Sequence, residues 1–207
     1  MLMDSVLIAK LWNDLRPGKV IVTKKYPPFM GKVAYSVPKD SVLKRMMYVS
    51  DNFLAEQLLL LASSKFSRTL SSYRMRQYML QHALADLPQA PRWVDGSGLS
   101  RYNLFSPADF VHILSKMYVE IPQKRLLSLF PVGGESGTLK KYFKGDPAPY
   151  IYAKSGTLGN NYSLSGFLRT KSGALLIFSF MNNHFTKPNT EVKKEMQTVL
   201  ESIRDNY

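Results

Sequence analysis

Apolar residues recur along this chain with two periods. Between Ser5 and Leu15, the residues Leu7, Ile8, Leu11 and Leu15 fall on one stripe, which predicts an amphipathic helix ended by Pro17-Gly18. Asp40 to Val49 predicts a second helix, with Asp40 or Ser41 as N-cap after Pro38. Phe53 to Ser63 predicts a third, strongly apolar one, and Ser71 to Leu87 a fourth with Arg74, Arg76 and Gln77 on its polar side. Ser106-Pro107-Ala-Asp109 supplies a cap, a first-turn proline and a carboxylate at the third position, opening a helix that runs to about Val119. Pro122 to Phe130 reads as a short helix and Thr138 to Phe143 as a helical turn. After Lys187-Pro188-Asn-Thr190, the spacing of Val192, Met196, Val199, Leu200 and Ile203 predicts the inward stripe of a C-terminal helix.

Strand signals are concentrated late. Tyr150 to Leu158, Tyr162 to Arg169 and Ala174 to Met181 are apolar runs of strand length, and the turn signal Thr170-Lys-Ser-Gly173 joins the last two. Together they predict an antiparallel meander. Val20 to Thr23 predicts one short strand near the N-terminus. Tyr26 to Gly31, Trp93 to Arg101 and Pro131 to Gly137 are rich in proline or glycine and predict loops.

Composition narrows the class. The 207 residues show no obvious break, which fits one domain with a sizeable core, and 45% hydrophobic residues exclude a disordered chain. No apolar run approaches the ~20 residues of a membrane span. Met1-Leu-Met-Asp4 lacks the basic start of an export signal, although an exported parent could have lost it with its N-terminus. The absence of cysteine removes disulfides and thiolate chemistry. A formal net charge of +13 raises binding to an anionic polymer, with affinity falling steeply with salt. The basic residues are dispersed, however, as in Lys24-Lys25, Lys44-Arg45, Lys140-Lys141 and Lys193-Lys194. No zinc spacing, Walker loop or aromatic RNA-binding signature accompanies them, so no nucleic acid, metal or cofactor is expected.

Two polar clusters interrupt the apolar pattern. Lys154-Ser-Gly-Thr157 is expected at the end of the meander's first strand, at a sheet edge or beside a cleft. There the Lys154 ammonium can hold a carboxylate, Ser155 and Thr157 hydroxyls can donate to it, and Gly156 admits a ligand close to the backbone. A Lys-Ser-Gly triplet is also an ordinary turn, and Lys171-Ser-Gly173 is read as one. Ser50-Asp51-Asn52 separates the second and third helices. Asp51 or Asn52 caps the third helix, or Ser50 and Asn52 project into a cleft between helices and sheet.

Taken as a pair about a hundred residues apart, these clusters resemble the second and third motifs of active-site serine penicillin-binding proteins. The Met46 to Leu60 stretch, with Ala55-Glu56-Gln57-Leu58, is similar to the class C low-molecular-mass members, the D-alanyl-D-alanine carboxypeptidase/endopeptidase type. Asp95-Gly-Ser-Gly-Leu-Ser-Arg101, Pro131-Val-Gly-Gly134 with Gly137-Thr-Leu-Lys140, and Leu164-Ser-Gly-Phe167 are similar too, so the resemblance covers roughly residues 35 to 185. It implies an α+β, β-lactamase/transpeptidase-like fold, a helical cluster packed on an antiparallel sheet. This chain would be the C-terminal part of a penicillin-binding (serine D,D-peptidase) domain, incomplete at its N-terminal side.

The resemblance also implies a serine acyl transfer on a peptidoglycan stem peptide ending in D-Ala-D-Ala, in a periplasmic or extracytoplasmic setting. Ser50 relays a proton toward the leaving amine, Asn52 holds the substrate backbone, and Lys154 supplies positive potential. Ser155 and Thr157 bind the terminal carboxylate, beside the open backbone of Gly156. The Thr157 N–H forms half of an oxyanion hole, a contribution often worth ~3 kcal/mol per donor. Arg101 meets an acidic peptide side chain.

The first motif, Ser-x-x-Lys, is the departure. Ser36-Val-Pro-Lys39 and Ser41-Val-Leu-Lys44 fit its spacing, but Pro38 disfavours a helix in the first, and the second lies on the helix leading into Ser50. Both are expected to be chance matches. The isolated chain is therefore expected to be inactive and to react with β-lactams only if a nucleophile is present. Absent N-terminal strands of a five-stranded sheet would leave an edge for self-association. The alternative is a non-catalytic peptidoglycan-peptide binding module.

Overall fold

The computed structural model describes residues 5–15, 18–22, 36–67 and 69–207. The chain divides into two units, Met1–Ser36 and Val37–Tyr207. In the first, α1 (Ser5–Leu15) is the expected amphipathic helix. The Asn13 side chain accepts the Val20 N–H at 2.7 Å. Among the described residues, Val20 to Val22 are not part of a strand, unlike the expectation, and Ile21 is 70% exposed. A three-residue apolar run has no ladder of its own and needs a neighbouring strand to become one. Thr23 and the Tyr26 to Gly31 loop lie outside the described residues.

The second unit contains α2 (Lys39–Val49), α3 (Asn52–Ala62), α4 (Ser72–Gln81), α5 (Pro107–Glu120), α6 (Gln123–Ser128) and α7 (Asn189–Asn206). Its strands are β1 (Ile151–Leu158), β2 (Asn161–Arg169) and β3 (Leu175–Asn182), antiparallel in the order β1-β2-β3. The described sheet thus has three strands. None of the described helices is long and apolar enough to cross a membrane.

The sheet is covered on both faces. Ile151, Ala153, Leu164 and Leu168 pack with Val192, Met196 and Leu200 of α7. Phe167 points the other way, into a core with Leu114 of α5 and Leu126 and Leu127 of α6. β2 therefore reads as a continuous buried run from Leu164 to Leu168, while its neighbours alternate or lie half-exposed. Val199, expected to face inward, is 45% exposed, because the α7 stripe is set by Val192, Met196 and Leu200.

Local signals decide several helix ends. Ser106 and Asp109 close a reciprocal capping box on α5. Asp51 accepts the Leu54 N–H at 3.0 Å and caps α3. Pro38 rather than Asp40 or Ser41 occupies the N-cap position of α2. Asp40 lies in the first turn, where its carboxylate takes two hydrogen bonds from Arg125, at 2.7 and 2.8 Å. The fourth helix stops at Gln81, six residues before the predicted end. His82 leaves the helical region, and the Leu84 N–H reaches back to the Met79 carbonyl. Lys116 of α5 then binds the Ala83 carbonyl and Asp86, replacing further helical pairing with tertiary bonds.

Candidate active site

The two polar clusters meet. α2 ends at Ser50, which takes up a left-handed conformation (φ 55°, ψ 52°) and returns its N–H to the Met46 carbonyl. A non-glycine residue pays for that geometry, so such residues concentrate where a side chain must be aimed. The turn allows Asp51 to cap α3 at once and sets the Ser50 hydroxyl toward β1. Lys154 donates to Ser50 Oγ at 2.9 Å and to the Ser155 carbonyl at 2.5 Å. Asp51 is thus the cap of α3, and Ser50 faces the sheet. Asn52 is exposed on the first turn of α3.

Lys154 is not at a strand end. It is the fourth residue of the eight in β1, opposite Ser165, which in turn faces Ser179 across β2 and β3. Ser165 and Ser179 hydroxyls are 2.9 Å apart, so a polar row runs across this face behind the lysine. Among the described residues no carboxylate pairs with Lys154. Burial disfavours its charged form and lowers its pKa below the ordinary lysine value.

Among the described residues, no strand pairs with the outer edge of β1 where the motif lies. Ala153 donates to the Pro131 carbonyl and Gly133 to the Ile151 carbonyl, so Pro131 to Gly133 cover the first part of this edge. The two-residue repeat of a strand then turns the backbone groups of Ser155 and Thr157 outward as well, beyond that cover. A Cβ placed on Gly156 would meet nothing within 4 Å, and Thr157 is exposed. The site thus offers an extended edge with open space above it.

Thr138 belongs to this arrangement. Its hydroxyl accepts from Ser155 Oγ at 2.7 Å. Gly137 makes the approach possible: its φ is +56°, and a Cβ there would lie 2.6 Å from the Tyr48 carbonyl. The short helical turn Gly137–Leu139 is thereby pressed against the end of α2. The Gly137-Thr-Leu-Lys140 stretch carried this signal in the sequence, without a role for the hydroxyl.

The loop before Arg101 is held rigidly to α3. One oxygen of Glu56 accepts the N–H groups of Gly96 and Ser97, at 2.9 and 2.8 Å. Asp95 accepts from Gly98, Ser100 and the Asn103 side chain. Arg101 itself is exposed, and its guanidinium lies over the β1–β2 turn, 2.9 Å from where a Cβ on Gly159 would sit.

Neither Ser-x-x-Lys string shows a serine–lysine hydrogen bond among the described residues. Ser36 precedes α2 outside any helix, so it and Lys39 are not one helical turn apart. Ser41 and Lys44 are exposed on α2. Ser41 lies nine residues before Ser50, about 13 Å along the helix axis.

The sequence matches the D-Ala-D-Ala carboxypeptidase 3 (S13) family over residues 20–206. It is 27% identical over 201 residues to the D-alanyl-D-alanine carboxypeptidase DacB of Haemophilus influenzae, spanning 92% of this chain and 41% of that protein. It is 29% identical over 164 residues to the penicillin-sensitive carboxypeptidase A of Dictyostelium discoideum, spanning 74% of this chain and 31% of that one. The solved structure of penicillin binding protein 4 from Haemophilus influenzae, complexed with a β-lactam, matches with a TM-score of 0.75 at 24% identity. That match covers 97% of this chain and 50% of the other. The fold is therefore that of the matched part of this solved structure, helices packed on an antiparallel sheet, and the chain spans less than half the length of these two curated relatives.

Proposed function

Because the chain belongs to the D-Ala-D-Ala carboxypeptidase 3 (S13) family, we propose that it forms the relay and carboxylate-binding part of a serine D,D-peptidase domain. The observation that carries this reading is the 2.9 Å bond from Lys154 to Ser50 across 104 residues of chain. The substrate is a peptidoglycan stem peptide ending in D-Ala-D-Ala, met outside the cytoplasm. A seryl hydroxyl attacks the penultimate carbonyl, the peptide bond breaks, and D-alanine leaves with a proton on its amine.

Each role follows from a donor or a charge. Ser50 accepts from Lys154, so its own hydroxyl hydrogen is free to pass to the leaving amine while Lys154 replaces it. The lowered pKa of Lys154 makes that transfer easier than from an ordinary lysine. The terminal carboxylate lies along the open edge of β1, against Ser155, Thr157 and the ammonium of Lys154, with Gly156 leaving room. The outward N–H of Thr157 supplies one oxyanion donor. Asn52 holds the peptide backbone, and Arg101 meets an acidic side chain of the stem. Ser36 and Ser41 take no part, which leaves residues 1–207 without the attacking serine.

Intact mass and peptide mapping after incubation with a penicillin test the last assignment. The expected result is no acyl adduct on this chain. An adduct on Ser36 or Ser41 overturns it and assigns the nucleophile to this segment.

A further inference from the structure

A second cleft, of about 400 Å³, opens between α6 and the beginning of β1, lined by Gln123, Lys124, Leu127, Val132, Tyr152 and Arg169, together with Ser128. Its chemistry is one-sided. It contains two cations and no acidic residue, and among the described residues neither Lys124 nor Arg169 is paired with a carboxylate. The neighbouring Arg125 is different: it is turned away and fully engaged by Asp40. Ser128 donates its hydroxyl to the Arg125 carbonyl, so the donors left to a ligand are those of Gln123, Lys124, Tyr152 and Arg169.

The sheet register makes this a single surface. Tyr152 pairs with Phe167, and Arg169 is two residues further along β2, so both side chains stand on the face covered by α6. Diagonal neighbours of this kind lie about 7–8 Å apart, within reach of one ligand group. The antiparallel bridge between Val132 and Tyr152 closes the wall beside them. Leu127 is buried at its base, and Arg169 is half-buried.

We propose that this cleft is a second ligand site, which takes the carboxylate of a short peptide between Lys124 and Arg169. Two cations without counter-charges among the described residues favour an anion, and a guanidinium matches a carboxylate through paired N–H bonds. The apolar walls of Leu127 and Val132 and the ring of Tyr152 fit the peptide's uncharged portion. The volume is that of a small-molecule pocket rather than of a bare ion. The cleft shares no lining residue with the Lys154–Ser50 pair, and the proposal does not depend on the D,D-peptidase reading.

The test is an amide-resolved NMR titration of the 207-residue chain with N-acetyl-L-alanyl-D-glutamate, a carboxylate peptide that lacks D-Ala-D-Ala. The expected shifts are at Gln123, Val132, Tyr152 and Arg169, with Ser50 and Ser155 unmoved. Lys124→Gln with Arg169→Gln weakens binding about tenfold or more while the remaining spectrum is retained, as loss of charge-assisted bonds requires. The dipeptide with both carboxylates amidated fails to bind. Shifts elsewhere, or an affinity indifferent to the paired substitution, overturn the proposal. Inorganic phosphate binding equally well and displacing the dipeptide also overturns it, marking an unselective anion site.

Discussion

The Lys154 ammonium and the Ser50 hydroxyl are 2.9 Å apart, joined from the middle of a strand to the last turn of a helix. Nothing local to either residue brings them together. The left-handed turn at Ser50 is what aims the hydroxyl, and it carries a conformational cost.

That cost gives a first expectation. Ser50→Gly relieves a non-glycine residue at φ 55° and is expected to raise stability by about 0.5–1 kcal/mol in urea unfolding. It also removes the hydroxyl that Lys154 binds, so stability is expected to rise as that hydrogen bond is lost. A destabilised Ser50→Gly variant contradicts the strain assigned to this turn.

The pH dependence of Lys154 has a definite sign. Burial places its folded-state pKa below the ordinary lysine value. Between those two values the unfolded chain binds more protons than the folded one, so this group's contribution makes stability rise with pH across that window. Lys154→Met is expected to remove that rise, seen as a smaller alkaline gain in unfolding midpoint than in the parent chain. The proposed carboxylate binding is expected to change in the opposite direction, weakening as pH rises through the lowered pKa.

Gly137→Ala tests the turn that presents Thr138. The new methyl would lie 2.6 Å from the Tyr48 carbonyl at a backbone φ of +56°. A loss of about 2 kcal/mol is expected from unfolding curves, with NMR shifts at Thr138 and Ser155. An unchanged stability would mean that α2 and this turn are not pressed together.

Glu56→Ala frees the N–H groups of Gly96 and Ser97 together. Faster hydrogen exchange is expected from Gly96 to Arg101, with a loss of about 2 kcal/mol. Exchange confined to the helix, with the loop unaffected, would show that Glu56 does not anchor Arg101's loop.

Legibility in the sequence followed the range of the interaction. The capping box of Ser106 and Asp109 is written within four residues and is found as predicted. The meander and its Lys171-Ser-Gly173 turn are likewise local, with Gly173 at φ +93°. Asp40 fits the pattern of a cap in sequence, but its partner, Arg125, is 85 residues away and out of reach of a local signal. The end of α4 carries no sequence signal, since no glycine or proline follows until Pro88, and Lys116 instead makes tertiary bonds to the residues beyond it. The glycine and hydroxyl residues after Lys154 resemble a turn and so suggest a strand end, whereas pairing with β2 carries the strand on to Leu158. The meeting of Lys154 with Ser50 came from a family resemblance, since periodicity holds no information across 104 residues. Thr138 needed the structure, because its role depends on how closely Gly137 approaches Tyr48.

The most direct measurement of the central claim is a calorimetric titration with diacetyl-L-lysyl-D-alanyl-D-alanine, comparing the parent chain with Lys154→Ala and with a peptide amidated at its C-terminus. The account predicts binding by the parent chain that weakens about tenfold or more when either the ammonium or the carboxylate is removed. Equal affinity in all three titrations would contradict it, because the terminal carboxylate would then not be held at Lys154.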